Sequence, residues 1–598
     1  MINIEDDGLF EVFPAIQTIS EAFEYQNSML NKIVLTGKIN ALEIAENLFN
    51  FTEQTAQTFT ELQSQIVLNL LRENKEELFT KAKTKVKIAI DTVMRNIHIR
   101  KADIETLSQD EIIQGFCESK YTKEDVKERL NNFIKQYTIY NEIIIVDKNG
   151  SVKVNVNSEN KVRYSQESIF KDMNDTETKV YFKSTDLFVK QRQPLFFVKA
   201  LPNDRYLVVF LKFEDEAKII FDNLITENEN ITICDKFNNI IISSEKGMDK
   251  SSLKGIKKVG EFAVNNGMFY VKEKSDYNEL DWYGVISYKK RADVNILAEF
   301  ENQNTNNQLA QIHLNNNELQ KLADDGYSIL EDLSDVIING ELIAAKSKQY
   351  VLIPILDNLR EVSFRIVKLI ELSIRSLQKI IDDSIVNDVT IISKFIVDEL
   401  MRNLYEICGD IKWWAITLSD FELSELSTTL KKINEFYPNY SDIFVYDSNL
   451  EIKSISNSTK FIGEKIERIN ISRNAECSMT NFIKTKFYDG MTYMFFSPLK
   501  KDEKVIGGIG AVFDIKKQFA DIFNRAFIYT NGIGIICDKN KNILYSTQDI
   551  GLDFIDELKE GVKNIEVEGK KYKLSISKST GYREIKKDDL YSIILMER

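Results

Sequence analysis

Two histidines, His98 and His313, are all that 598 residues provide. Imidazole is the side chain that most often moves protons or holds metals near neutral pH, so catalysts built on paired histidines are excluded. His98 falls in the helical pattern VMRNIHIR and His313 in the polar stretch QIHLNNNELQ, positions that suit ordinary helix or surface residues. The five cysteines, Cys117, Cys234, Cys408, Cys477 and Cys537, lie far apart and never form a C-x-x-C pair. Neither a zinc site nor a disulfide framework can be read from them, and a reducing compartment fits best. The acid pairs Asp324-Asp325 and Asp382-Asp383 are helix neighbours, which point about 100° apart and share no acid/base site. Gly507, Gly508 and Gly510 invite a phosphate-loop reading, but the six-position glycine pattern is incomplete and close packing in a strand accounts for them better. No P-loop, H-E-x-x-H, EF-hand or G-x-S-x-G spacing occurs. The expectation is a protein without catalytic residues, cofactor or metal; a carboxylate-based enzyme is the remote alternative.

The elements that carry these residues repeat. Val93-Met-Arg-Asn-Ile97 returns as Leu400-Met-Arg-Asn-Leu404, and Ile143-Ile-Ile-Val-Asp147 as Ile443-Phe-Val-Tyr-Asp447. Ile231-Thr-Ile-Cys234-Asp235 answers Ile533-Gly-Ile-Ile-Cys537-Asp538, and Asp281-Trp-Tyr-Gly-Val-Ile-Ser287 answers Asp589-Leu-Tyr-Ser-Ile-Ile-Leu595. Matched blocks in one order, about 300 residues apart, imply two halves of one fold. Within each half, an apolar run ending in Asp and followed by turn residues occurs twice, at Asp147 and Asp235 and at Asp447 and Asp538, and reads as a hairpin connection. Helices precede the β-rich parts. Leu71, Leu78, Ala82, Val86, Ile90, Val93 and Ile97 form one helical face, and a stripe from Ile370 through Ile374, Leu377, Ile385, Val389, Ile396 and Leu400 to Leu404 forms another. A helix that long must pack along its own β modules or pair with another chain.

Composition sets the outer limits. With 78 Lys+Arg against 92 Asp+Glu the formal charge is −14, which argues against nucleic acid as a partner. With 23 glycines and 6 prolines there is little material for flexible tethers. The longest apolar runs fall well short of the roughly 20 residues needed to span a bilayer by helix. The acidic start MINIEDDGLFEVF lacks the features of a secretory signal, so a cytoplasmic location is expected. The polar stretch 302–307 is the clearest break. It suggests a helical N-terminal segment at 1–60, for which no counterpart is evident, a first domain at 61–290, a helical connector at 291–369 and a second domain at 370–598.

FFSPLKKDEKVIGGIGAVFDIKKQFADIF and IGIICDKNKNILYST, each behind a long helix and each in a half with two β modules, resemble the double Cache family of PAS-like sensor domains. EDLSDVIINGELIAAK, MRNLYEICGDIKWWAIT and TGYREIKKDDLYSIIL further resemble soluble bacterial Cache proteins of chemotaxis signalling. The resemblance implies an α+β fold: tandem PAS-like modules, each an antiparallel sheet of five or six strands, behind long N-terminal helices and joined by a helical connector. It also implies a small-molecule pocket between sheet and loops. Candidates to line it are Arg163, Tyr164 and Tyr181 in the first half, and Trp413, Trp414, Arg473, Tyr488, Tyr493 and Asp514 in the second. Arg473 could grip a carboxylate through its planar fork and the aromatics could stack on a ring or enclose an ammonium. Equally, the tryptophans could be core, the arginines solvated and Asp514 a helix N-cap. The amino-acid-sensing pattern of the family, an arginine followed one residue later by an aromatic pair, is absent from both halves. The resulting expectation is a non-catalytic cytoplasmic sensor or signalling scaffold, partnered by a small-molecule ligand and by chemotaxis or other signalling proteins, with its long helices offering a route to a homodimer. Its alternative is a purely structural scaffold without a ligand.

Overall fold

The computed structural model describes residues 8–597, apart from 41–45, 173–176, 189–192, 246–249, 289–316, 467–475, 583–588 and positions 227, 254–255, 257, 266–267, 278–279, 438 and 502–503. Four long helices organise it: α1 (Pro14–Asn40), α2 (Glu46–Ser108), α3 (Asn317–Ser347) and α4 (Leu352–Leu418). α1 and the start of α2 pack against α3 and the start of α4 as one four-helix bundle. Its core includes Phe23, Leu30, Phe59, Ile66, Leu333, Leu359 and Ile366. The segment before residue 61, for which the sequence suggests no counterpart, therefore has one. α1 answers α3 at a constant separation, Leu30 with Leu333, Ile33 with Val336 and Gly37 with Gly340. Both glycines sit where a side chain has no room: a Cβ on Gly37 would lie 2.1 Å from the Phe49 ring, and one on Gly340 2.6 Å from Leu356. Phe49 and Leu356 are themselves counterparts on α2 and α4. The polar stretch 302–307 lies outside the described residues.

Behind the bundle each half carries two five-stranded antiparallel sheets, at 140–211 and 229–288 in the first half and 440–513 and 533–597 in the second. All four sheets have the strand order second, first, fifth, fourth, third. The third sheet has an additional two-stranded ribbon at 483–492. Even irregularities repeat: the pairing of Tyr140 with Leu211 slips before Glu142, and that of Tyr440 with Phe513 slips before Asp442. The four turn aspartates do what their spacing predicts. Asp147 Oδ1 accepts from the amides of Asn149 and Ser151, both at 2.9 Å. Asp235, Asp447 and Asp538 repeat this bond pattern on the residues two and four further along. A carboxylate satisfied by two backbone donors is a turn device.

The stretch of α2 from Ala82 to Leu107 lies across one face of both sheets of its half, burying Val86, Ile90, Val93 and Ile97; α4 does the same in the second half. The contact is close enough to select residues. Gly284, in the last strand of the second sheet, meets α2 where an added Cβ would be 2.8 Å from Val86 Cγ2. At the corresponding place in the second half, Ser393 Oγ donates to the carbonyl of Ser592 at 3.2 Å. One apolar core runs through all four sheets and both helices, so the halves are not separate globules. Among the described residues no helix is long and apolar enough to cross a membrane.

The cysteine pattern does not announce one feature. Cys408 on α4 and Cys477, just before the third strand of the third sheet, form a disulfide with Cα atoms 5.9 Å apart. They are 69 residues apart in sequence, and only folding brings them together. Cys117, Cys234 and Cys537 are free and buried.

Replacing Gly284 by Val should lower the thermal midpoint of unfolding, at a cost of about 1–3 kcal/mol for overpacking. An unchanged midpoint would mean that α2 does not rest on this strand.

Candidate functional site

The resemblance places a ligand on the sheet face turned away from the long helix, and in the first and third sheets that face is filled by the protein itself. In the first sheet Phe170 packs on Tyr206 with ring centres 5.4 Å apart, Phe188 on Phe210 at 5.2 Å and Phe196 on Phe210 at 5.3 Å. In the third, Phe444 stacks on Phe487 at 5.0 Å, beside Phe461 and Phe496. The glycines of the third sheet make this packing fit. A Cβ on Gly508 would lie 2.2 Å from Tyr446 Oη and one on Gly510 2.3 Å from Phe444, while Gly507 lies against the Tyr446 carbonyl.

The residues expected to line a pocket scatter. Tyr181 is half-buried and stacks on Phe196 at 5.5 Å. Arg163 is exposed, with its carbonyl accepting from Val152, and Tyr164 is 59% exposed. Trp413 and Trp414 are completely buried. Trp413 lies edge-on to Phe133 at 4.9 Å, and Trp414 edge-on to Tyr437 and Tyr440. They are therefore core aromatics where the two halves meet. Tyr493 is buried against Phe482. Asp514 caps the 515–526 helix by accepting from Lys517 N at 3.2 Å, and Tyr488 Oη donates to the same carboxylate at 3.1 Å. Arg473 lies outside the described residues. Three cavities of the described residues lie elsewhere, and none is lined by any of these side chains.

The polar chemistry collects instead where α2 crosses α4. Asp103 accepts from Tyr140 Oη of its own half at 2.8 Å and from Tyr437 Oη of the other half at 3.1 Å. Asp410 accepts from Tyr440 Oη of its own half at 3.1 Å and from Tyr137 Oη of the other at 2.8 Å. The two aspartates, like the two tyrosine pairs, are repeat mates, so this is a reciprocal contact of the kind that joins identical subunits across a two-fold axis. Two turns away the repeated Met-Arg-Asn motifs meet. Arg95 donates both terminal nitrogens to Asn403 Oδ1 at 3.3 Å, and Arg402 Nη1 donates at 3.3 Å to the Asn96 amide oxygen once that amide is oriented to suit. The sequence shows these motifs as signs of duplication; their second role is to bind the copies together. The missed signal is the pairing of polar identities at one helix spacing, Asp103 with Asp410, inside otherwise apolar stripes.

The joint is not fully symmetric. Arg100 ion-pairs with Asp103 at 2.6 Å and Glu406 at 2.7 Å, whereas its mate is Ile407. Burial works against the Arg100 charge, but Asp103 and Glu406 outweigh it and hold the guanidinium well above its usual range. Asp410 has no such arginine, and burial, reinforced by Asp103, holds its carboxyl well above the usual carboxylate range. Burial likewise pushes all four tyrosine hydroxyls up. Glu399 shows the opposite outcome. Burial would raise it, but Arg525, Arg95 and Arg402 together bring it down to about 2. Glu142 and Asp442, buried acids of the first strands of the first and third sheets, are occupied by backbone amides at 156–157 and 457–458. This arrangement can hold two helices in register; it offers no nucleophile and no open acid/base pair.

The two aspartates should behave differently when neutralised. Asp103→Asn strips a buried arginine of its nearest partner and should cost about 3 kcal/mol in chemical unfolding at pH 7. Asp410→Asn, which still offers an acceptor and a donor to its tyrosines, should stay within about 1 kcal/mol of the parent. The raised Asp410 carboxyl leaves stability intact below the ordinary value of 3.8 and withdraws it as the pH climbs, so Asp410→Asn should gain on the parent from that point upward. The lowered Glu399 contributes stability above 4.5 that is lost as the pH falls toward about 2. Equal losses for the two asparagine variants would refute this account of the joint.

No family model matches the chain, and no curated protein sequence does. Solved structures do. The ligand-binding domain of the Pseudomonas fluorescens chemoreceptor CtaA in complex with L-isoleucine is 11% identical, covers 36% of this chain and 94% of its own, and has a TM-score of 0.30. The ligand-binding domain of the Pseudomonas aeruginosa amino acid chemoreceptor PctB in complex with L-Arg is 14% identical, covering 35% of this chain and 85% of its own, with a TM-score of 0.29. The sensory domain of the Campylobacter jejuni chemoreceptor Tlp3 is 11% identical and covers 36% of this chain and 94% of its own, also with a TM-score of 0.29. The architecture of this chain is itself α+β, with long helices ahead of five-stranded antiparallel sheets.

Proposed function

We propose that the chain is a non-catalytic signalling protein, a sensor in which two Cache-like halves form a single-chain counterpart of a receptor dimer and act on partners through the four-helix bundle. The observation that carries this reading is the reciprocal Asp–Tyr joint, from which α2 and α4 both run without a break into the bundle. A ligand that prefers one arrangement of the halves would shift the bundle by its difference in affinity. The pairing of long helices that the sequence assigns to own modules or to a second chain is made here within one chain. The proposed setting is bacterial chemotaxis or a related pathway, with signalling proteins as partners.

A purely structural scaffold is the second reading, and the filled faces of the first and third sheets favour it. Thermal-shift screening with amino acids, organic acids, purines and amines separates the two. The sensor reading expects a rise in midpoint with one chemical class, because a ligand selective for the native state stabilises it. No rise with any class would leave the scaffold.

The proposed compartment is the cytoplasm, but the Cys408–Cys477 disulfide takes away the cysteine argument for it and suits an oxidising compartment instead. Trapping thiols in intact cells with a maleimide under denaturing quench separates the two: in the cytoplasm the reagent should label Cys408 and Cys477 along with the free Cys117, Cys234 and Cys537. A protected Cys408–Cys477 pair would place the chain in an oxidising compartment.

A further inference from the structure

The copies diverge at the ion cluster beside the joint. On one side Glu399 of α4 receives Arg95 from α2 and Arg525 from the 515–526 helix, the latter at 3.0 Å. The repeat mates of these three residues are Thr92, Arg402 and Asn223, and the structure brings them together on the opposite side. There the arginine remains while the carboxylate has become Thr92 and the second arginine Asn223. The result is a cleft of about 180 Å³ between α4, α2 and the 213–224 helix. Its second mark is Arg402: 6% exposed, lining the cleft, with no hydrogen-bond partner for its Nε and with Glu399 no nearer than 3.9 Å.

Charges around the cleft leave one cation in excess. Lys85 is engaged by Glu229, and Glu399 is shared by Arg95, Arg525 and, at 3.9 Å, Arg402, so Asp398 is the one carboxylate of the cleft left for Arg402 and Lys394. Ile88, Ile220, Leu224, Ile391 and Phe395 form its apolar wall, beside Thr226 and Thr390. The space exceeds the roughly 30 Å³ of one water and falls below the several hundred of a drug-sized pocket.

We propose that this cleft binds a short aliphatic carboxylate, whose acid group takes the place of the missing Glu399 mate on Arg402 and Lys394 and whose chain lies against Ile88, Ile391 and Phe395. The site is distinct from the sheet faces, and the assignment rests on the broken symmetry rather than on the signalling reading. Isothermal titration of the full chain with butyrate should give saturable binding, accompanied by a rise in thermal midpoint. Butylamine, chloride and sulfate should not reproduce it. Thr92→Glu restores the internal carboxylate, and should abolish butyrate binding while leaving the ligand-free midpoint unchanged or higher. Lys394→Met, at an exposed position, should weaken binding by about tenfold through loss of a charge-assisted contact. The absence of saturable heat with the parent chain would overturn the proposal. So would full binding by Thr92→Glu or, should that variant not fold, by Lys394→Met. An equal response to sulfate would overturn the carboxylate class.

Discussion

Two carboxylates at the meeting point of two helices are the constraint on which the rest of the structure depends. A carboxyl group taken out of water loses its solvent hydrogen bonds, and the cost is recovered only where geometry supplies partners. Here the hydroxyl donors come half from each copy: Asp103 takes Tyr437 as well as Tyr140, beside its own Arg100, and Asp410 takes Tyr137 as well as Tyr440. An apolar joint would tolerate a slide of α2 along α4 by one turn, since any leucine can take the place of another. This one does not, because a slide would strand both aspartates. The role that fits is register rather than net stability.

From that register the asymmetry gains its meaning. Once Asp103 and Asp410 are matched, every residue of α2 has a defined opposite number on α4, and departures from identity become local events. Ile407 opposite Arg100 leaves Asp410 with tyrosines alone. Thr92 opposite Glu399 opens a cleft where the other side has a closed ion cluster. A homodimer must carry every such feature twice. A duplicated chain can carry it once, and so can keep one side for holding the copies together while the other is free to change.

What the sequence makes legible follows the range of the interactions involved. The hairpin turns at Asp147, Asp235, Asp447 and Asp538 are readable because the bonds that form them span four residues. The duplication and the buried stripe from Val86 to Ile97 are readable because they are periodic. The match of α1 with α3 is not, because buried positions of a bundle accept any apolar residue; Phe23 answers Gly326, and few positions, among them Leu30 with Leu333 and Gly37 with Gly340, keep their identity. Trp413 and Trp414 look the same in sequence whether they stack on a ligand or on Phe133 and Tyr437. The role of Trp413 is decided by Phe133 in the other half of the chain and that of Trp414 by the strand that follows it, contacts that only the folded chain makes. The joint and the disulfide are hidden because they too join residues distant in sequence.

The distance between the joint and the bundle bears on how far an event at one can reach the other. Asp103 and Phe59 stand on the same unbroken helix, 44 residues apart, or about 65 Å at 1.5 Å per residue. A helix that long transmits a rotation only if its sides are held. α2 is held first by the sheets, from Leu107 back to Ala82, and then by the bundle from Leu71 onward, with a short interval around Arg72–Lys81 between the two cores. α4 has the matching interval between Leu377 and Val389. In both helices these are the stretches with the fewest buried apolar side chains, and Glu77 and Asn387 meet across them at 3.2 Å. The weakest lateral support therefore falls at one height on both rods, between the part that would sense and the part that would deliver, which is where a change in the angle of the halves would meet the least resistance.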